Sequence, residues 1–187
     1  MPYKKKIIDE LDELDEFANK TKSVNLVVKK NNRLIGFNTD IFGAYQCFKT
    51  KIKKFSNIVI IGLGGTGQAI FNYLFKSYKQ KKFILISRKF KKKSKNVKIF
   101  NNINEEILKK KAYIINCSPL GSNLKKDFLN QSPIEKRLFS KISKKSIVFD
   151  IIYSPKKTVL SKLCKAKKIQ YMNGLKMNTL QAKEALN

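Results

Sequence analysis

Histidine and tryptophan are absent from the 187 residues, and 13 acidic side chains face 41 basic ones. Without histidine, acid–base chemistry must use Lys, Asp, Glu, Tyr or Cys. Cysteine is scarce as well. Cys47, Cys117 and Cys164 lie far apart with no CxxC pair, so they read as free thiols in a reducing cytoplasm, and neither a disulfide framework nor a metal site is expected. Long hydrophobic runs are missing: stretches such as IVIIGLGG have the length of a strand, not of a bilayer crossing. The opening MPYKKKII has charge but no apolar region behind it. Arg and Ser are rare there and acids soon follow, so it is expected to be neither a secretory signal nor a mitochondrial presequence.

Positive charge is what the chain has in excess, with a formal net charge of +28. Such a balance raises the question of nucleic acid. Only Arg33, Arg88 and Arg137 supply guanidinium groups, however, and the lysines are spread through every segment. Phosphate and base readers favour arginine forks and interleaved aromatics. Lys, Asn, Ile and Phe run high together, as drift in an AT-rich coding sequence would produce. The charge therefore reads as a solvated surface, and neither a nucleic-acid nor a membrane partner is expected.

At this length and 42% hydrophobic content, one sizeable core with a small added layer is expected. Ile7, Ile8, Leu11, Leu14, Phe17 and Ala18 have helical spacing and predict a helix over 7–18. VNLVV and RLIGF flank a polar KKNN turn and predict paired strands. DIFGAYQCFKTK predicts a helix capped by Asp40. From residue 57 onward, NIVII, FILIS, AYIIN and SIVFD alternate with helical segments such as TGQAIFNYLFKSY. Unalternating Ile/Val-rich runs between helices predict an α/β fold with a parallel sheet covered on both faces. KFKKKSKNVK (89–98) reads as a basic loop. Three parts are expected: 1–50, 51–172, and a last helix over 173–187 that returns to the first part.

IIGLGGTGQAI sets Gly62, Gly64 and Gly67 in GxGxxG spacing between a strand and a helix. The first glycine permits a tight turn, the second lets the backbone approach a pyrophosphate, and the third allows close helix–strand packing. Free N–H groups around Gly65 and Thr66 would attract the phosphates. An NAD site usually has an acid about twenty residues further on. Ser87, Arg88 and Lys89 stand there instead, and a hydroxyl with a guanidinium suits a 2′-phosphate, which favours NADP.

GFNTD, GLGGTGQA, SRK, NCSPLGS, FDIIYSPKKT and NGLKMNTLQA follow one another in the order and spacing of the shikimate dehydrogenases, and the chain resembles that family over nearly its whole length. The resemblance implies a Rossmann-type doubly wound parallel sheet with the remnant of an N-terminal α/β substrate domain. It also implies NADPH-dependent reduction of 3-dehydroshikimate to shikimate, on the way to the aromatic amino acids. In PYK, the family's catalytic lysine falls on Lys4, and in GFNTD its partner aspartate falls on Asp40. Substrate contacts fall on Asn25, although Leu26 replaces the usual threonine, and on Tyr153 and Gln181. Asn116 and Ser118 match the loop beside the cofactor, Ile151 lies in the same cofactor region, and Gly174 matches a glycine near the nicotinamide. The substrate is then a small molecule, and a homodimer is allowed for.

The family carries several dozen residues before the lysine, including a Ser-x-Ser substrate motif, and continues its last helix further. On that pattern the chain is expected to start inside its own active-site segment, at Met1. It would then bind NADP but reduce 3-dehydroshikimate poorly or not at all. An NAD-dependent quinate/shikimate dehydrogenase ranks second, for want of an acid at 87–89. A non-catalytic dinucleotide module ranks third, since it needs none of Lys4, Asp40, Tyr153 and Gln181. A basic nucleic-acid binder ranks last.

Overall fold

The segment with helical spacing near the start does not fold as one helix. In the computed structural model, which describes residues 3–92 and 94–186, Tyr3–Lys6 form a single turn (α1) and Ile7–Glu10 a 3-10 turn. Glu13–Leu14 then extend as a short strand (β1), and Glu16–Thr21 form a helix (α2). Met1, Pro2, Lys93 and Asn187 lie outside the described residues, so the Pro2 of the PYK motif and the start at Met1 do too. Two aspartates cause the break. Asp12 accepts from the Leu34 N–H at 2.7 Å, and Asp15 accepts from the Ala18 N–H at 2.7 Å as the N-cap of α2. Leu11 and Leu14 pack over Gly36, where a Cβ would meet them at 2.5 and 2.9 Å. Their apolar spacing serves a sheet face, not a helix stripe.

Leu26–Lys30 (β2) and Arg33–Phe37 (β3) pair antiparallel, as the VNLVV/RLIGF reading expects, and β1 joins β3 in parallel to give the order β1-β3-β2. Asn31 and Asn32 link them with φ of 47° and 62°, the left-handed pair that a two-residue hairpin turn requires and that asparagine tolerates. Thr39–Phe48 (α3) follows. Its cap is Asn38, whose side chain accepts from the Ile41 N–H at 3.2 Å. The expected cap, Asp40, sits inside the first turn, because the helix begins at Thr39 and Asn38, with φ of −122° and ψ of 83°, is the last residue outside it.

Asn57–Ile61 (β4), Gly65–Ser77 (α4), Lys82–Ile86 (β5), Val97–Phe100 (β6), Glu105–Lys109 (α5), Ala112–Asn116 (β7), Ile147–Asp150 (β8), Val159–Ala166 (α6), Gln170–Met172 (β9) and Leu175–Leu186 (α7) complete the chain. Six strands pair in parallel in the order β6-β5-β4-β7-β8-β9. This is a doubly wound sheet of Rossmann type whose strand order reverses between β4 and β7. β6 occupies the end of the expected basic loop, so that loop is shorter than the sequence suggests.

Both faces of the large sheet are covered. Ile58 and Ile60 point into a core with Ile70, Phe71 and Leu74 of α4. Val59 and Ile61 point the other way, toward Ile107, Leu138 and Leu160. Each fully buried side chain of this size contributes about 1.5–3 kcal/mol by leaving water. An aromatic cluster fastens the small sheet's helices to this body. Phe17 of α2 stacks on Tyr73 of α4 at 5.3 Å between centroids, and Tyr45 of α3 meets Tyr73 at 5.5 Å. α7 lies against α3 so closely that a Cβ on Gly43 would meet the Met177 carbonyl oxygen at 2.6 Å.

Candidate active site

Two asparagines build the start of α3. Besides capping the helix, Asn38 donates through Nδ2 to Thr21 Oγ1 (3.2 Å) and to the Ser23 carbonyl (2.7 Å), and it is buried. Asn25 accepts from the Thr39 N–H at 2.9 Å and donates to Thr39 Oγ1 at 3.1 Å. With its neighbours held on both sides, Asp40 faces outward from a fixed turn. α1 is attached to the same region, since the Lys4 carbonyl accepts from the Val24 N–H at 2.8 Å. Lys4 Nζ then donates to Asp40 Oδ2 at 2.7 Å, with about a quarter of each side chain exposed (27% and 25%). The pair is wet enough to exchange protons with solvent and sheltered enough to keep its geometry.

Three hollows meet at Asp40, and Lys4 lines two of them. One of about 480 Å³ runs from Lys4, Lys5 and Asp40 to Gly65, Thr66, Gln68 and Asn72. A second, of about 640 Å³, is lined by Tyr3, Lys4, Ile7, Val24, Asn25, Val27 and Asp40. A third, of about 160 Å³, brings Asp40 together with Thr66, Ile151, Tyr153, Gly174 and Gln181. A fourth, of about 300 Å³, adjoins it through Thr66, Ile151 and Tyr153 and includes Ser118 and Pro119. Residues far apart in sequence converge for identifiable reasons. Gly43 lets α7 approach α3, which carries Gln181 toward Asp40. Gly174 has no room for a Cβ against the Ile151 carbonyl, and its N–H donates to the Ile152 carbonyl at 3.0 Å.

The glycine turn has the form of a phosphate cradle. Gly62 has φ of +87°, and a Cβ there would meet the Ser118 nitrogen at 2.8 Å. A Cβ on Gly67 would run into the Gly62 carbonyl, so helix α4 rests directly on the strand end. At Gly64 and Gly65 a Cβ would meet nothing within 4 Å; the space above them is open, as a bound pyrophosphate requires. Gln68 steadies the turn by donating to the Leu63 carbonyl at 2.9 Å. Ser87, Arg88 and Lys89 sit apart from the four hollows, at the carboxyl end of β5 beside the turn, where the Gly62 N–H donates to the Ile86 carbonyl at 3.1 Å. Ser87 Oγ accepts from the N–H groups of Lys89 (3.4 Å) and Phe90 (3.3 Å), and no carboxylate occurs among residues 87–92. The donor set suits a dinucleotide with a 2′-phosphate.

Asn116 is placed differently from its expected neighbours at the cofactor. It is fully buried, its Nδ2 donates to Asp150 Oδ1 at 3.0 Å, and its Oδ1 accepts from the N–H (3.0 Å) and hydroxyl (2.8 Å) of Ser118. Ser118, and not Asn116, faces the 300 Å³ hollow. Sequence reasoning missed Gln68 and Asn72, which share the α4 face of Gly65 at spacings of three and seven residues; that helical period was the available signal. It also missed Asp150, which it read only as the end of the SIVFD strand, and Thr158 and Tyr171, to which it gave no role. No group of His, Cys, Asp and Glu among the described residues is arranged to hold a metal ion. No helix among them is long and apolar enough to cross a membrane.

No family model matches the chain. A curated shikimate dehydrogenase (NADP(+)) of Clostridium botulinum (strain 657 / Type Ba4) is 34% identical over 196 residues, and the alignment covers 100% of this chain and 72% of that protein. Among solved structures, the shikimate dehydrogenase of Aquifex aeolicus is similar with a TM-score of 0.76 and 29% identity, covering 100% of this chain and 68% of that one. Quinate dehydrogenase of Corynebacterium glutamicum, solved with NAD, gives a TM-score of 0.81 at 23% identity over 98% of this chain and 68% of that one, a likeness of fold alone.

Proposed function

The chain belongs to the shikimate dehydrogenase family, and from that membership we propose that it reduces the ring ketone of 3-dehydroshikimate to the alcohol of shikimate with NADPH, on the route to chorismate and the aromatic amino acids. The cofactor supplies the hydride. Lys4 serves the oxygen that gains negative charge, giving it the proton from Nζ, and recovers that proton through its exposed quarter. Asp40 holds the ammonium through the 2.7 Å bond and accepts from a substrate hydroxyl. Asn25, Tyr153 and Gln181, which border Asp40 in the adjoining hollows, orient the ring. The turn Gly62, Gly64, Gly65, Thr66 and Gly67 holds the phosphates, and Ser87, Arg88 and Lys89 hold the 2′-phosphate. Ser118, Ile151 and Gly174 wall the far side, with Asn116 acting through Ser118.

On this reading residues 1–50 and the α7 segment 173–187 form the substrate side, and 51–172 the NADP side. The substrate is a small molecule and the site of action the cytoplasm; no nucleic-acid partner is required, and a homodimer is compatible with the assignment. The observation that carries the reading is the Lys4–Asp40 bond opening into the same hollow as Gly65 and Thr66. Steady-state loss of NADPH absorbance with 3-dehydroshikimate tests it. Lys4→Ala should lower kcat by about 10²–10⁴-fold and leave NADPH binding unchanged. Oxidation independent of 3-dehydroshikimate, or equal turnover by the variant, would overturn the assignment.

A further inference from the structure

Asp150 ends β8 with its carboxylate fully buried and in none of the ion pairs found among the described residues. Four donors converge on it. Oδ1 accepts from Asn116 Nδ2 at 3.0 Å and from the Ile152 N–H at 3.2 Å. Oδ2 accepts from the Tyr171 hydroxyl at 3.0 Å and the Thr158 hydroxyl at 3.3 Å. Burial pushes the carboxyl up from its ordinary range, and the four hydrogen bonds pull against that rise. A buried carboxylate is costly, and a core of this size could be closed by apolar residues at less expense. Its location supplies a reason for it.

The four donors come from four elements: the end of β7, the loop after β8, the cap of α6, and β9. Through Asn116 the carboxylate fixes Ser118, and through Ile152 it fixes the segment that leads to Tyr153. Ser118, Ile151 and Tyr153 are walls of the 300 Å³ hollow on the β7–β8 side of the strand-order reversal. The glycine turn and Ser87–Lys89 lie on the β4–β5 side. A dinucleotide laid across the reversal puts one half on each side.

We propose that Asp150 is a positioning residue for the nicotinamide half of the dinucleotide, acting through Asn116 and Ile152 without touching the ligand. The proposal rests on the NADP reading above. It predicts an effect confined to one half of the cofactor, whereas a merely structural role would not distinguish the halves. The test is equilibrium binding to the whole chain of two probes: NADPH, by its fluorescence, and adenosine 2′,5′-bisphosphate, which lacks the nicotinamide half, by calorimetry. Asp150→Asn keeps the volume and removes the charge. It should weaken NADPH by about tenfold, the scale of a hydrogen bond to a charged group, and leave the bisphosphate unchanged.

Tyr171→Phe removes one donor and should show the same pattern at smaller size; it carries the test if Asp150→Asn fails to melt cooperatively. Equal weakening of both probes, or of neither, would overturn the proposal. Failure of the unaltered chain to bind either probe would instead overturn the NADP reading itself, and this inference with it.

Discussion

β4 and β2 are both five-residue strands rich in branched apolar side chains, yet they stand in opposite surroundings. β4 has a neighbour on each edge and helices over both faces, and Ile58, Val59, Ile60 and Ile61 are all buried. Among the described residues β2 has a neighbour on one edge only, and Val27 and Val28 are 39% and 40% exposed. The large sheet therefore draws its stability from area removed from water. The small sheet is held by directed polar bonds at Asp12, Asp15, Asn25 and Asn38, and by the aromatic contact of Phe17 and Tyr45 with Tyr73. The glycine turn proposed to hold the phosphates rides on the first kind of structure; of the proposed pair, Lys4 rides on the second, while Asp40 lies in the first turn of a helix that spans both. At the proposed catalytic pair the hydrogen bonds of Asn25 and Asn38 fix the first turn of α3, and Ile41, Ala44 and Phe48 anchor that helix in the large core.

The sharpest break in that contrast is at the turn of the large sheet. Gly67→Ala sets a methyl group against the Gly62 carbonyl, which is backbone and cannot swing aside. We expect about 4 kcal/mol of lost stability and no measurable NADPH binding, followed by urea unfolding and fluorescence titration. Ile60→Ala, at a strand centre packed on both sides, should cost about 3 kcal/mol while leaving the turn intact, so that NADPH affinity of the folded fraction is retained. An unfolding midpoint unchanged by Ile60→Ala would remove the claim that burial supports this half.

How the two halves were legible from sequence follows the same division. NIVII and AYIIN read as strands at their true limits because burial on both faces demands unbroken apolar runs. β6 and β9 escaped notice because they are the two edges of the sheet, where lysine, glutamine and a half-solvated face are tolerated. In the small sheet, the spacing of Leu11 and Leu14 imitated a helix, since their partner was Gly36, distant in sequence. The Lys4–Asp40 contact could not be read from spacing at all; only the family resemblance brought residues 36 positions apart together. Asp150 was invisible for a further reason: a buried acid's role depends on which donors the fold aims at it, and those come from residues 116, 152, 158 and 171.

Phe17→Ala would test the dependence of the small sheet on its neighbour. The ring touches Phe42, Tyr45 and Tyr73 at 5.3–5.7 Å between centroids. Its loss should cost about 2 kcal/mol, because the site is only part-buried and aromatic pairs add about 0.5–1.5 kcal/mol to the burial term. The informative outcome is a split: kcat with 3-dehydroshikimate should fall while NADPH binding stays. A proportional fall in both would mean that the two halves are one cooperative body with no division of labour.

The smallest expected effect is the most discriminating for the small sheet. Val28 lies mid-strand in β2, opposite Ile35, with two-fifths of its surface in water. Val28→Thr keeps the branched shape and strand preference and exchanges a methyl for a hydroxyl that solvent can reach. The change in stability should stay within about 0.5 kcal/mol, against the roughly sixfold larger loss for Ile60→Ala. Native-state hydrogen exchange should agree, with β2 amides on the free edge exchanging through local opening and β4 amides only through global unfolding. A loss at Val28 as large as that at Ile60 would show that the face of β2 is covered in solution, and the contrast between the two sheets would then be one of occupancy and not of construction.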